Sequence, residues 1–113
     1  MTKIITTAEL KQKIDAGNVP YLIDVLAPES YEARHVPGAK HLRKGPDFVE
    51  RFAKEIAAPK DAEIIVYCSS DTCTASVISA QQLVDAGYTN VVHYKDGLAG
   101  WKNAGYAFES AAK

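Results

Sequence analysis

The sequence predicts one α/β domain in which a parallel sheet is flanked by helices. Short apolar runs alternate with helical patterns along the whole chain, and no repeat, linker or low-complexity tract interrupts them. With 113 residues, of which 47% are hydrophobic and 24% charged, the chain is long enough to bury a core. Strands separated by helices pair in parallel through right-handed crossovers, so a single domain of residues 1–113 accounts for the chain.

The first part of the chain predicts three strands and two helices. Thr6 and Glu9 form a capping-box pattern, which predicts a helix from there to Gly17. Pro28 is typical of the first turn of a short helix, here over residues 28–32. Residues 21–25 are predicted to form a buried strand, because four of the five are apolar without alternation. Shorter strands are predicted at residues 4–5 and 40–42.

The second part predicts two more strands and three helices. One helix starts at Asp47, another ends at Gly87, and the last covers residues 98–103. The β-branched run 64–67 is the most strand-like segment and is predicted to be central, and residues 91–94 form the final strand. Two apolar stripes should face the core. The first consists of Phe48, Val49, Phe52 and Ile56, and the second of Val77, Ala80, Leu83 and Val84.

The charge pattern argues against nucleic-acid and membrane partners. The net charge is −1 and the basic residues are scattered, so neither a basic surface nor a polybasic anchor is predicted. No apolar run approaches the ~20 residues that a membrane span needs. The N-terminus lacks the apolar stretch of a signal peptide, so we expect a cytoplasmic protein, although a mature exported chain would have the same features. No pattern indicates an oligomeric state.

The two cysteines, Cys68 and Cys73, are too few for a disulfide scaffold. Their spacing, with His35, His41 and His93 distant in the sequence, matches no common zinc site, so we expect no metal and no cofactor. The cysteines therefore indicate either chemistry at a site or packing in the core.

The segment after the strongest strand is the candidate site. Cys68 lies where that strand ends, at the edge of the sheet where ligands bind in α/β proteins. Small polar residues follow it and lead into a helix N-terminus, whose unpaired N–H groups stabilise a thiolate. No bulky residue follows to cover the sulfur. We therefore predict that Cys68 is a nucleophile, whereas the alternative is a small buried side chain. The predicted substrate-binding loop is Ser69, Ser70, Asp71, Thr72, Cys73 and Thr74.

Several segments, in the right order along nearly the whole chain, resemble the rhodanese homology family. They are Leu22-Ile23-Asp24-Val25, Pro28, Tyr31, His35-Val36-Pro37-Gly38-Ala39, Tyr67-Cys68, Ala86-Gly87-Tyr88, Asn90-Val91, Gly97 to Trp101, and Ala104-Gly105-Tyr106. The resemblance implies a five-stranded parallel sheet and a sulfurtransferase. It also implies that Cys68 takes sulfane sulfur from a small donor as a persulfide and passes it to a thiol, cyanide or a protein acceptor.

The chain departs from the family pattern close to the predicted site. Leu26 and Ser30 stand where the family usually has Arg and Glu. Arg34 replaces a glycine, which would strain the backbone by about 1–2 kcal/mol if φ were positive there, or would supply a cation near the site. His35 lies in a turn and is interpreted as a turn-locking partner rather than a base. Asp24 is expected to orient the loops.

The loop itself carries no cation, and its only charged residue is Asp71. Thiosulfate is a dianion, so we expect poor turnover of thiosulfate and better use of polysulfide or persulfide donors. Cys73 has two interpretations that the spacing leaves open. It either fills space or is a resolving thiol that attacks the Cys68 persulfide and forms a Cys68–Cys73 disulfide.

Three other functions are weighed against sulfur transfer. A phosphatase of this fold needs an arginine six residues after the cysteine, where this chain has Thr74, so that function is disfavoured. A thiol redox switch would require both Cys68 and Cys73, whereas persulfide transfer requires only Cys68. A non-catalytic binding module remains the third alternative, because many domains of this family have lost the cysteine that this chain retains.

Overall fold

The computed structural model describes residues 3–18, 21–70 and 73–110, and it confirms the predicted α/β architecture. The strands pair in parallel in the order β1-β5-β4-β2-β3, so β4 is central. The strands are β1 Lys3–Ile5, β2 Tyr21–Asp24, β3 Lys40–His41, β4 Ile64–Tyr67 and β5 Val91–Tyr94. The helices are α1 Thr7–Asp15, α2 Pro28–Ala33, α3 Phe48–Arg51, which continues as a π-helical segment Phe52–Ile56, α4 Ala75–Asp85 and α5 Gly97–Asn103.

The start of α1 is the predicted capping box. The Glu9 amide donates to Thr6 Oγ1 at 3.1 Å, and the Thr6 amide donates to Glu9 Oε1 at 3.0 Å. The third helix begins after Asp47, as predicted, but the Asp47 side chain makes no cap hydrogen bond. Its carboxylate instead lies 3.1 Å from Arg51 Nε, one helical turn away.

The sheet buries side chains on both faces, and all four residues of β4 are buried. Since side chains alternate along a strand, Ile64 and Val66 face the cluster under α3 and α4, while Ile65 and Tyr67 face the cluster under α1 and α5. Cys68 continues the first series and belongs to the same cluster as Ile64 and Val66. The alternation therefore directs the Cys68 side chain toward α4.

Helix α4 is rotated relative to the predicted stripe. Ala80 and Leu83 are buried as expected, but Val77 is 51% exposed. Two serines, Ser76 and Ser79, lie on the buried face instead. Serine is usually a surface residue, so the sequence pattern assigned the wrong buried face to a helix whose small hydroxyl side chains face the sheet. Among the helices that the structure describes, none has the length and apolar character needed to cross a membrane.

Candidate active site at the end of the central strand

A cleft of about 400 Å³ opens at the carboxyl edge of the sheet. Segments that follow β2 and β3 form two of its sides, and the start of α4 forms another. This is the edge where ligands bind in parallel α/β sheets. The lining residues are Val25, Leu26, Ala27, Pro28, Arg43, Lys44, Cys73, Thr74 and Ala75.

Cys68 and Cys73 are joined by a disulfide, with their Cα atoms 6.4 Å apart. The Cys68 residue is only 1% exposed, whereas Cys73 is partly exposed and lines the cleft. The expectation of an uncovered Cys68 sulfur therefore does not hold in this disulfide-bonded state. The loop brings the second sulfur onto the first, and of the two cysteines Cys73 is the one that faces the cleft.

The loop around Cys68 is anchored by its carbonyl groups. The amides of Leu98 and Ala99, at the start of α5, donate to the carbonyl oxygens of Cys68 (3.1 Å) and Ser69 (2.8 Å). Gly97 precedes them with φ +61°, and a Cβ at this position would collide with the Cys68 carbonyl oxygen. Close approach of α5 to the loop therefore requires glycine here.

The structure describes some of the remaining residues of the predicted substrate-binding loop. The Cys73 amide donates to Ser70 O at 3.2 Å, which closes a turn within the loop. Thr74 is exposed and lines the cleft. The predicted positions Asp71 and Thr72 lie outside the described residues.

Two buried polar residues that the sequence analysis missed lie behind the Cys68 sulfur. Ser76 Oγ is 3.5 Å from Cys68 Sγ and 2.7 Å from His93 Nε2. Burial lowers the pKa of His93, with a smaller contribution from the charge of Lys95, so the imidazole is neutral near pH 7. His93 pairs in register with Val66 of β4, so the strand order would have revealed its proximity to Cys68.

Arg34 and His35 contact the C-terminal segment. Arg34 has an extended backbone (φ −168°), so the strain considered for it does not arise, and its guanidinium lies 5.3 Å from the Phe108 ring centroid. His35 stacks on Tyr31 with ring centroids 3.9 Å apart, and its Nδ1 lies 2.8 Å from Tyr31 O. Its backbone pairs with Glu109 through hydrogen bonds of 2.8 and 2.9 Å. These contacts suit a turn-locking role for His35.

Asp24 connects the end of β2 to the residue before Cys68. One carboxylate oxygen accepts from the Leu26 amide (2.9 Å) and the other from the Tyr67 hydroxyl (2.8 Å). The same hydroxyl accepts from the Val36 amide at 3.0 Å. Burial raises the pKa of Asp24, although both hydrogen bonds oppose this shift. The network joins three segments at the carboxyl edge of the sheet.

Two cations, Arg43 and Lys44, line the cleft although the loop that carries Cys68 has none among its described residues. They follow β3, which is paired with β2, so parallel pairing brings them to the same edge as Cys68. Both cations are distant from Cys68 in the sequence, so the sequence indicated only Arg34 as a cation near the site. In the described ranges, no group of three or more His, Cys, Asp or Glu residues is arranged to hold a metal ion.

Comparisons with known proteins show the family to which this chain belongs. A family model described as a rhodanese-like domain matches residues 6–104. The chain is 32% identical over 108 residues to an HTH-type transcriptional regulator, Rv0324, of Mycobacterium tuberculosis, covering 96% of this chain and 45% of that protein. It is 32% identical over 82 residues to thiosulfate sulfurtransferase GlpE of Tolumonas auensis, covering 73% of this chain and 72% of that protein. A crystal structure of a thiosulfate sulfurtransferase from Pseudomonas aeruginosa superposes with a TM-score of 0.84 at 26% identity, over 99% of this chain and 21% of that one. The chain therefore spans less than half the length of the first of these relatives.

Proposed function

Because this chain belongs to the rhodanese-like domain family, we propose that its domain, residues 1–113, is a sulfurtransferase that carries sulfane sulfur as a persulfide on Cys68. The observation that supports this best is the position of Cys68 at the carboxyl end of the central strand, with the Ser76 hydroxyl 3.5 Å from its sulfur. A hydrogen-bond donor at this atom favours the thiolate, which is the nucleophilic form.

The reaction runs in two displacement steps once the disulfide is reduced. The Cys68 thiolate attacks the outer sulfur of a persulfide donor R–S–SH, the donor's S–S bond breaks, and R–S⁻ leaves, so that Cys68–S–SH forms. A thiolate acceptor then attacks the outer sulfur and regenerates the Cys68 thiolate. No net oxidation occurs, and the covalent intermediate makes ping-pong kinetics the expected pattern.

The disulfide favours a thiol redox switch as a second candidate function. With Cys68 only 1% exposed in the disulfide-bonded state, a donor cannot reach its sulfur until the bond to Cys73 opens. Formation of the disulfide would then turn sulfur transfer off, and a reducing thiol would restore it. Cys73 would form this bond by attack on the inner sulfur of the Cys68 persulfide, which breaks the persulfide's S–S bond, releases HS⁻ and leaves the disulfide.

The test of the proposed function is intact-protein mass spectrometry after reduction and incubation with polysulfide. Wild type is expected to gain a one-sulfur adduct that cyanide removes, and Cys68→Ser is expected to gain none. Cys73→Ser is the matched control, because it removes a thiol of the same loop and should keep the adduct. An adduct that persists in Cys68→Ser would contradict the assignment of Cys68.

The donor preference is tested at Arg43 and Lys44. We expect the site to prefer polysulfide and persulfide donors over thiosulfate. Much of the cleft lining is apolar, and the thiosulfate dianion would lose more hydration on entering it than a donor of lower charge. The two cations offset part of this loss. The double substitution Arg43→Gln, Lys44→Gln is therefore expected to lower kcat/KM for thiosulfate about 5- to 10-fold and to weaken its salt dependence. Lys54→Gln, an exposed lysine outside the cleft lining, is the control. Equal losses in both variants would show that Arg43 and Lys44 do not bind the donor.

A further inference from the structure

The Cys68–Cys73 disulfide has two unequal ends. Cys73 lines the cleft together with Arg43 and Lys44, so an anion that enters the cleft meets this sulfur. Cys68 is 1% exposed and packs in the core cluster under α4. In thiol–disulfide exchange, access decides which sulfur is attacked, and the other sulfur leaves as a thiolate. The geometry therefore favours attack at Cys73 and departure of Cys68.

The buried end is built to receive negative charge. Ser76 donates its hydroxyl hydrogen to Cys68 Sγ, and the oxygen lies 3.5 Å from the sulfur. A serine has only one hydroxyl hydrogen, so Ser76 Oγ must act as the acceptor toward His93 Nε2, 2.7 Å away, and Nε2 carries a proton. Ser76 and His93 are 1% and 8% exposed, so water competes little for these hydrogen bonds.

We propose that the disulfide accepts hydrosulfide and other small anionic sulfur nucleophiles at Cys73. Cys68 is the leaving thiolate, the Ser76 hydroxyl donates a hydrogen bond to it, and His93 positions that hydroxyl. This activity adds an entry route for sulfide to the proposed sulfurtransferase. This inference rests on the proposed function only in its last step, in which the sulfur moves from Cys73 to Cys68.

The step balances without an external oxidant. An electron pair of HS⁻ forms a bond to Cys73 Sγ, and the pair of the broken S–S bond leaves on Cys68, so the products are Cys73–S–SH and the Cys68 thiolate. The disulfide is the oxidant of the sulfide. The Cys68 thiolate then attacks the outer sulfur of the Cys73 persulfide, which gives Cys68–S–SH and the Cys73 thiolate. Each disulfide serves one such turnover.

Glutathione is the probe that identifies which sulfur is attacked, because glutathione forms a stable mixed disulfide that carries no transferable sulfur. The oxidised full chain is treated briefly with glutathione, alkylated, digested without reductant and mapped by mass spectrometry. Glutathione is expected on Cys73 at least about tenfold more often than on Cys68, with the alkyl group on Cys68. A preference for Cys68 would overturn the proposal, and this measurement on wild type depends on no variant.

The roles of Ser76 and His93 are tested by the rate of disulfide opening. Ser76→Ala and His93→Leu are expected to slow opening by glutathione about tenfold, since the leaving thiolate loses its hydrogen-bond donor or the partner that orients it. His93→Gln is expected to restore most of the rate, because its Nε2 can donate from the position of the imidazole Nε2. A merely structural role would not distinguish Gln from Leu in this way, so equal rates in the two variants would overturn this part.

Hydrosulfide itself is the last probe. Oxidised wild type, treated with polysulfide-free hydrosulfide, is expected to gain one sulfur, whereas Cys73→Ser, which has no disulfide, is expected to gain none. Absence of the adduct in wild type would overturn the sulfide route. If glutathione enters at Cys73 but polysulfide never loads Cys68, the proposed function fails alone. If polysulfide loads Cys68 but glutathione enters at Cys68, the present inference fails alone.

Discussion

Gly97→Ala is expected to lower sulfur transfer about 100-fold. The added Cβ would collide with the carbonyl oxygen of Cys68, and φ of +61° is in the region that favours glycine. To relieve the collision, α5 must move away and weaken the bonds from Leu98 N (3.1 Å) and Ala99 N (2.8 Å) to the loop. A displacement of about 1 Å at a reacting group is enough for a loss of this size. The measurement is kcat/KM with a polysulfide donor under reducing conditions.

Gly105→Ala is the matched control for Gly97→Ala. Gly105 also has a positive φ (+81°), but a Cβ there would meet no atom within 4 Å. Both variants should therefore lose about 1–2 kcal/mol of stability through backbone strain. Gly97→Ala should lose more than this because of its collision with the loop, and only Gly97→Ala should lose most of its activity. Comparable activities in two folded variants would show that contact between α5 and the loop does not position Cys68.

The three inner strands, β2, β4 and β5, could be predicted because their residues leave little choice. The runs at residues 64–67 and 91–94 match β4 and β5, and the predicted strand at residues 21–25 extends one residue beyond β2. Side chains buried on both faces produce continuous apolar runs, which local patterns detect well. The order of the strands in the sheet could not be predicted in the same way. Pairing of β5 with both β1 and β4 depends on contacts between distant parts of the chain, which the local patterns do not record.

The candidate site could be predicted at Cys68 but not around it. The strand end and the polar loop are local signals, and they identify the cysteine. Ser76 was hidden by the assumption that serine lies outside a helical stripe, and His93 by its place inside a strand. Arg43 and Lys44 reach the cleft only because β3 lies beside β2. Each missed residue comes to the site through packing between elements, so none carries a signal in its own segment.

Tyr67→Phe is expected to destabilise the fold by about 3–4 kcal/mol near neutral pH, a large part of the 5–15 kcal/mol typical of a domain. The Tyr67 hydroxyl donates to Asp24 Oδ2 at 2.8 Å and accepts from the Val36 amide at 3.0 Å, and all three residues are fully buried. Its removal leaves a buried carboxylate oxygen and a buried N–H group without their partner. Urea unfolding of wild type and variant measures the difference in free energy.

Tyr94→Phe is the matched control, since Tyr94 lies in register with Tyr67 on the neighbouring strand. Its hydroxyl hydrogen-bonds to Thr7 Oγ1 at 2.7 Å in a part-buried position, so the expected loss is about 1 kcal/mol. Equal losses in the two variants would contradict the role assigned to the Tyr67 hydroxyl.

The pH dependence of the Tyr67→Phe effect follows from Asp24. Burial raises the pKa of Asp24 in the folded state above its ordinary value, so the stability linked to its protonated form is present below that ordinary value and is lost as the pH rises through the folded pKa. The Tyr67 hydroxyl stabilises the carboxylate, so Tyr67→Phe raises this pKa further and enlarges the loss. The destabilisation should therefore be greater at about pH 7, where the carboxylate form needs the hydroxyl, and should shrink as the pH falls through the folded pKa of Asp24. A difference in free energy that stays constant over this range would show that Tyr67 supports the site through packing and the Val36 amide alone, without stabilising the Asp24 carboxylate.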